Sequence, residues 1–145
     1  DYSVINPKIT SYAPKPIAGY FNIVARSNRA NICPDGKLRI NPDVLASRIL
    51  EAERFLKNYP QFEKRSEISA LYKYCLTLYL LGADKTPAFP RNKLDNRFLE
   101  SYQATAAKYA DTQFGKLIGE YLTVLKQNKY RKTKQVLDFV KQKTA

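Results

Sequence analysis

Histidine, tryptophan and methionine are absent from these 145 residues, glycine occurs five times and cysteine twice. Losing histidine removes the commonest general base and the commonest metal ligand. Two cysteines without histidine fall short of the four nitrogen or sulfur ligands of a structural zinc site. No loop of alternating acids around a central glycine offers calcium its oxygens. Neither GxGxxG nor GxxxxGK[ST] occurs, so the usual phosphate cradles are missing. No cofactor and no metal are expected. No Asn-x-Ser/Thr sequon is present either.

Acids are scarce as well: 13 against 25 lysines and arginines, for a net charge of +12 and an isoelectric point near 9.7. Such a balance points to an acidic protein face, a nucleic acid or an anionic membrane surface as partner; its plain alternative is a solubilising surface. Hydrophobic residues make up 44% and charged ones 26%, the proportions of a globular chain. The length suits one domain with a core of its own.

The stretch Ile68–Leu81 carries a single charge, Lys73, and is apolar on every side when wound as a helix. Spanning a bilayer takes about 20 apolar residues, more than this run supplies. The pattern therefore predicts a buried central helix over about 66–81, which other helices surround. Asn41-Pro42-Asp43 is a helix start: asparagine caps, proline takes the first helical position and aspartate complements the dipole. Val44, Leu45, Ile49, Ala52, Phe55 and Leu56 follow at helical spacing, and Tyr59-Pro60 ends the run. Gly82 closes the central helix, and Pro87 and Pro90 mark a loop whose Phe89 is expected to plug the core. Further helices are predicted over 92–111, from an Asp111 or Thr112 cap to Asn128, and over 131–143. The expected fold is mainly α: a single-domain bundle of four to five helices in 41–145.

Residues 1–40 read differently. Pro7, Pro14 and Pro16 predict an extended arm over 1–20, anchored by Tyr2, Ile5, Ile9, Tyr12 and Ile17. Tyr20–Ala25 has strand composition and Pro34-Asp35-Gly36 is a turn signal, so a short β-hairpin is expected within about 20–40. An echo links Gln61-Phe62-Glu63-Lys64 to Gln113-Phe114-Gly115-Lys116, 52 positions on, each opening an apolar helix after one that ends in an aromatic residue, Tyr59 or Tyr109. This arrangement is similar to the helix pairs of tetratricopeptide-type adaptor repeats. Their defining spacing of small and aromatic residues is not met, and no residue role is carried over.

Cys33 and Cys75 are read as a disulfide pair, closing a loop of about 43 residues worth roughly 4 kcal/mol. The alternative is two buried thiols packing as small hydrophobes. A disulfide, together with a start at Asp1 in place of methionine, favours an exported, periplasmic or lumenal protein. Glu63 and Glu67 stand one turn apart as a candidate carboxylate pair, against the simpler reading of a solvated helix face beside Lys64 and Arg65.

The positive signal lies near the C-terminus. Lys126, Lys129, Tyr130, Arg131, Lys132, Lys134, Lys141 and Lys143 have Asp138 as their only acidic neighbour after residue 120. Lysines there could neutralise an anionic partner, and tyrosine faces could stack on bases. The expected function is a non-catalytic helical protein–protein interaction module, docking through this basic surface on an acidic or membrane-associated partner. A nucleic-acid-binding domain using the same segment is the alternative. A histidine-free nuclease or toxin domain is a more distant one.

Overall fold

The computed structural model describes residues 14–30 and 32–145, with the side chains of 27–30 outside the description. Six α-helices account for most of it: α1 Lys15–Ala30, α2 Pro42–Asn58, α3 Arg65–Leu81, α4 Asn96–Lys108, α5 Gln113–Gln127 and α6 Lys134–Thr144. Asn41 caps α2, its side chain accepting the Val44 N–H at 2.9 Å. Asp95, Thr112 and Thr133 do the same for α4, α5 and α6, each supplying an acceptor to a first-turn N–H that has none in the helix.

Helix α2 lays Leu45, Ala46, Ile49, Leu50, Ala52 and Phe55 against α3, and α4 pairs with α5 in the same hairpin fashion. Helix α6 then packs on α3 and α5. The C-terminal half of α3 lies where these pieces meet. Tyr79 is wholly buried, with its ring 5.0 Å from that of Tyr102 on α4 and 5.5 Å from that of Phe114 on α5. Tyr121 continues the aromatic chain to Phe139 on α6 at 5.3 Å. Each such pair adds about 0.5–1.5 kcal/mol to the burial of the rings themselves. The expected central helix is thus present, but only its last two turns are enclosed. In its first half Ala70, Lys73 and Tyr74 are exposed.

A helix that ends inside a protein must find donors for its last carbonyls. Here the Leu78 carbonyl takes the Gly82 N–H and the Leu81 carbonyl takes the Ala88 N–H. Two tyrosines supply the rest: Tyr102 donates its hydroxyl to the Tyr79 carbonyl at 2.7 Å, and Tyr121 donates to that of Leu80 at 3.0 Å. Gly82 turns the chain out at φ 74°, where a side chain would strike the Ala88 nitrogen at 2.4 Å. A two-stranded antiparallel hairpin follows, β1 Gly82–Ala83 with β2 Thr86–Pro87. Phe89 plugs the core as expected and is buried.

Residues 14–40 depart from expectation. Tyr20–Ala25 is helix and not strand, because its burial repeats at three residues: Tyr20 and Ile23 pack on Ala52, Phe55 and Ile68. Strand propensity yields to that packing. Pro14 precedes α1 and Pro16 sits in its first turn, where a missing N–H costs nothing. Ile17 lies in α1 and is 36% exposed, while the other expected anchors of the arm, Tyr2, Ile5, Ile9 and Tyr12, lie outside the described residues. Pro34–Gly36 does form a tight turn, and the Arg39 N–H reaches the Ile32 carbonyl at 2.9 Å, but no strands flank it. The segment instead leans on the later hairpin, the Lys85 N–H bonding to the Gly36 carbonyl at 2.8 Å.

Cys33 and Cys75 are free thiols, which corrects the expected disulfide. Cys33 associates with Tyr74, whereas Cys75, the next residue, projects about 100° further round the helix into the core. Burial pushes the Cys75 thiol up to about 11, with Arg48 opposing it weakly, so it stays protonated and inert. Cysteine usage therefore lends no support to an oxidising compartment.

Candidate functional site

The basic segment near the C-terminus begins where α5 stops. Asn128 binds the end of α5 to the start of α6: its amide donates to the Val124 carbonyl at 2.8 Å and to Gln135 at 2.9 Å, and its oxygen accepts from Thr133 at 2.8 Å. The chain then passes through two residues in the left-handed region, Lys129 at φ 54° and Tyr130 at φ 58°. The Tyr130 N–H closes this turn on the Leu125 carbonyl at 2.8 Å.

A second loop has the same peculiarity. After buried Ala88 and Phe89, Arg91 and Asn92 adopt φ 54° and 68°. Non-glycine residues in this region carry strain on the order of 1 kcal/mol or more each and persist only where their surroundings fix them. Mutual pairing fixes these: Lys93 and Arg131 form an antiparallel bridge, the Leu94 N–H bonds to the Tyr130 carbonyl at 2.9 Å, and the Lys132 N–H reaches the Asn92 carbonyl at 3.3 Å. Arg91 and Lys93 are thereby set beside Lys129, Arg131 and Lys132, and all five side chains are exposed.

No ion pair joins any of these five to an acid among the described residues. The acid next along the chain, Asp95, holds Arg97; burial opposes ionisation there but the hydrogen bonds from Arg97 outweigh it and keep the carboxyl below its usual range. The result is a fixed cationic edge at one end of the bundle.

The other basic residues singled out in the sequence divide. The Lys126 carbonyl accepts from the Lys129 N–H, which places Lys126 at the base of the loop. Lys134 pairs with Asp138 at 3.2 Å on its own helix. Lys143 pairs with Glu120 at 3.1 Å and lies over the Phe139 ring, tying α6 to α5. Lys141 is exposed, about 10 Å from Lys134 along the axis of α6. Tyr130 is half-buried and packs against the main core. Tyr20, Tyr79, Tyr102 and Tyr121 are core residues.

Three carboxylates near α1 and α5 hold the helices together. Tyr20 donates to Glu67, Arg26 meets Glu51 at 2.7 Å, and the Phe114 N–H bonds to Glu53 at 2.8 Å. Glu67 thus tethers α1 to α3, so Glu63 and Glu67 do not work as a free pair. Among the described residues no cluster of three or more histidine, cysteine or acidic side chains could hold a metal ion, and no helix is long and apolar enough to cross a membrane.

Comparison with protein-family models, with curated proteins and with solved structures finds no match. Function has to be read from the side chains themselves. Arg91 and Lys93 escaped the sequence reading because nothing near them is patterned; only backbone pairing 38 positions away, between Lys93 and Arg131, joins them to the basic segment.

Proposed function

We propose that the protein is a non-catalytic helical interaction module that docks on an acidic face of another protein through the paired loops at 90–93 and 128–132. The observation that carries this reading is the convergence of Arg91, Lys93, Lys129, Arg131 and Lys132, exposed and without an ion-pair partner among the described residues, on backbone held by cross-loop hydrogen bonds. Rigid presentation lowers the entropy lost on docking, and unopposed charge speeds encounter with an acidic surface. An anionic nucleic-acid backbone is the second reading, favoured by the net charge of +12. The only tyrosine in the basic segment is Tyr130, half-buried and packed on the core, whereas binders of single-stranded nucleic acid present several open aromatic faces; this supports the protein partner.

Two labelled probes separate these readings: a Glu/Asp-rich peptide and a DNA duplex, each titrated by fluorescence anisotropy at several salt concentrations. Docking on an acidic protein predicts tighter binding of the peptide, abolished by combined Lys129→Glu, Arg131→Glu and Lys132→Glu substitutions at unchanged Tm. Preference for the duplex, with log K falling by about 0.9 per phosphate neutralised for each unit of log salt, would transfer the site to nucleic acid. No binding of either probe at low salt would reject both.

A further inference from the structure

A second cationic region lies away from the paired loops. Helices α2 and α3 and the connection from α4 to α5 enclose a cleft of about 830 Å³, within the roughly 300–1,000 Å³ range of small-molecule sites. Arg54, Lys57, Arg65, Lys73 and Lys108 line it, against two acids, Glu53 and Asp111. Glu53 is already engaged by the Phe114 N–H. None of the five cations has an ion-pair partner among the described residues, although both acids share their cleft. Arg65 opens α3, where a positive charge works against the helix dipole. Like charges gathered in a recess repel one another, and a multiply charged anion relieves that repulsion.

Two tyrosines complete the lining. Tyr72 and Tyr109 are both half-buried, and Lys108 lies 5.5 Å from the centre of the Tyr109 ring. Burial, then the Glu53 charge, pushes the Tyr72 phenol up to about 12, so it remains a hydrogen-bond donor at neutral pH. A phenol donor, cations and aromatic side chains therefore border one cleft.

We propose that this cleft between α2, α3 and the α4–α5 connection binds a small organic polyphosphate, its phosphates on the arginines and lysines and its ring against Tyr72 or Tyr109. Lysine and arginine suit this chemistry because each charge-assisted contact to phosphate is strong, and arginine can bind two oxygens at once. The site is independent of the paired loops, which serve as its control.

Calorimetric titration of the full chain with ATP, and separately with inositol hexakisphosphate, tests it. Saturable binding at a single site is expected, weakened about tenfold or more by combined Lys57→Glu and Lys73→Glu substitutions and unaffected by Arg131→Glu with Lys132→Glu. Lys57→Gln with Lys73→Gln, which only neutralises charge, replaces the reversal should that variant fail to fold. Tighter ATP binding would identify a ligand with an aromatic base, and tighter hexakisphosphate binding a ligand read by charge; either order supports the site. Absence of saturable binding, or loss through the loop variant in place of the cleft variant, would overturn it.

Discussion

Two phenols complete the inner end of α3. The Tyr79 carbonyl has the Tyr102 hydroxyl as its donor, and the Leu80 carbonyl has Tyr121 at 3.0 Å with Tyr102 behind it at 3.3 Å. Tyr102→Phe leaves a buried carbonyl without a partner and is expected to lower unfolding free energy by about 1–3 kcal/mol. Tyr121→Phe is expected to lower it less, because Leu80 keeps its second donor. Denaturant melts of the two variants check that order, and equal losses would contradict it. Tyr79 itself is pushed from 10.0 up to about 12, first by burial, while its bonds to Ser101 and Thr105 pull the other way. The folded phenol holds its proton longer than the unfolded one. Its contribution to stability is therefore complete below about pH 10 and is lost as pH rises toward 12. Ultraviolet titration should show the core tyrosines ionising together with alkaline unfolding; ionisation of all tyrosines near 10 in a still-folded chain would count against this packing. None of these contacts was legible in the sequence. The 3.6-residue stripe marks Tyr102 and Tyr121 as inward-facing, but which carbonyl a hydroxyl meets depends on how three helices stack.

Among the elements, those with strong local signals matched their reading. Asn41-Pro42-Asp43 starts α2, Gly82 ends α3, and Thr112 caps α5. Helix α1 was misread, since aromatic and β-branched residues at Tyr20–Val24 favour a strand until Phe55 and Ile68 bury them at helical spacing. Two glycines of α5 separate tight packing from mere tolerance. A β-carbon at Gly115 would lie 1.8 Å from the Tyr109 carbonyl oxygen, so α5 could not keep its approach to the end of α4. At Gly119 the same atom would meet nothing within 4 Å. Gly115→Ala is expected to destabilise by about 3 kcal/mol or more, at the upper end for overpacking. Gly119→Ala should stabilise by about 0.5–1 kcal/mol through the helix preference of alanine. Thermal melts of the pair decide the matter, and a harmless Gly115→Ala would refute the packing of α4 on α5.

Across the whole molecule four of the scarce acids act as fastenings between helices. Glu51 and Glu67 hold α1 to α2 and α3, Glu53 joins α2 to α5, and Glu120 joins α5 to α6. With these carboxylates turned to internal work, the excess of lysine and arginine stands unopposed, and the fold gathers part of it on the paired loops. The sequence already showed the sign of the surface and one of the two loops. Its other half, Arg91 and Lys93, came from a bridge between distant segments that no local pattern announces. Amide chemical-shift mapping of the isotope-labelled chain, titrated with a polyglutamate peptide, tests the docking surface most directly. The paired loops predict saturable shifts concentrated at 90–93 and 128–132; shifts spread evenly over the basic surface, or confined to another face of the bundle, would contradict it.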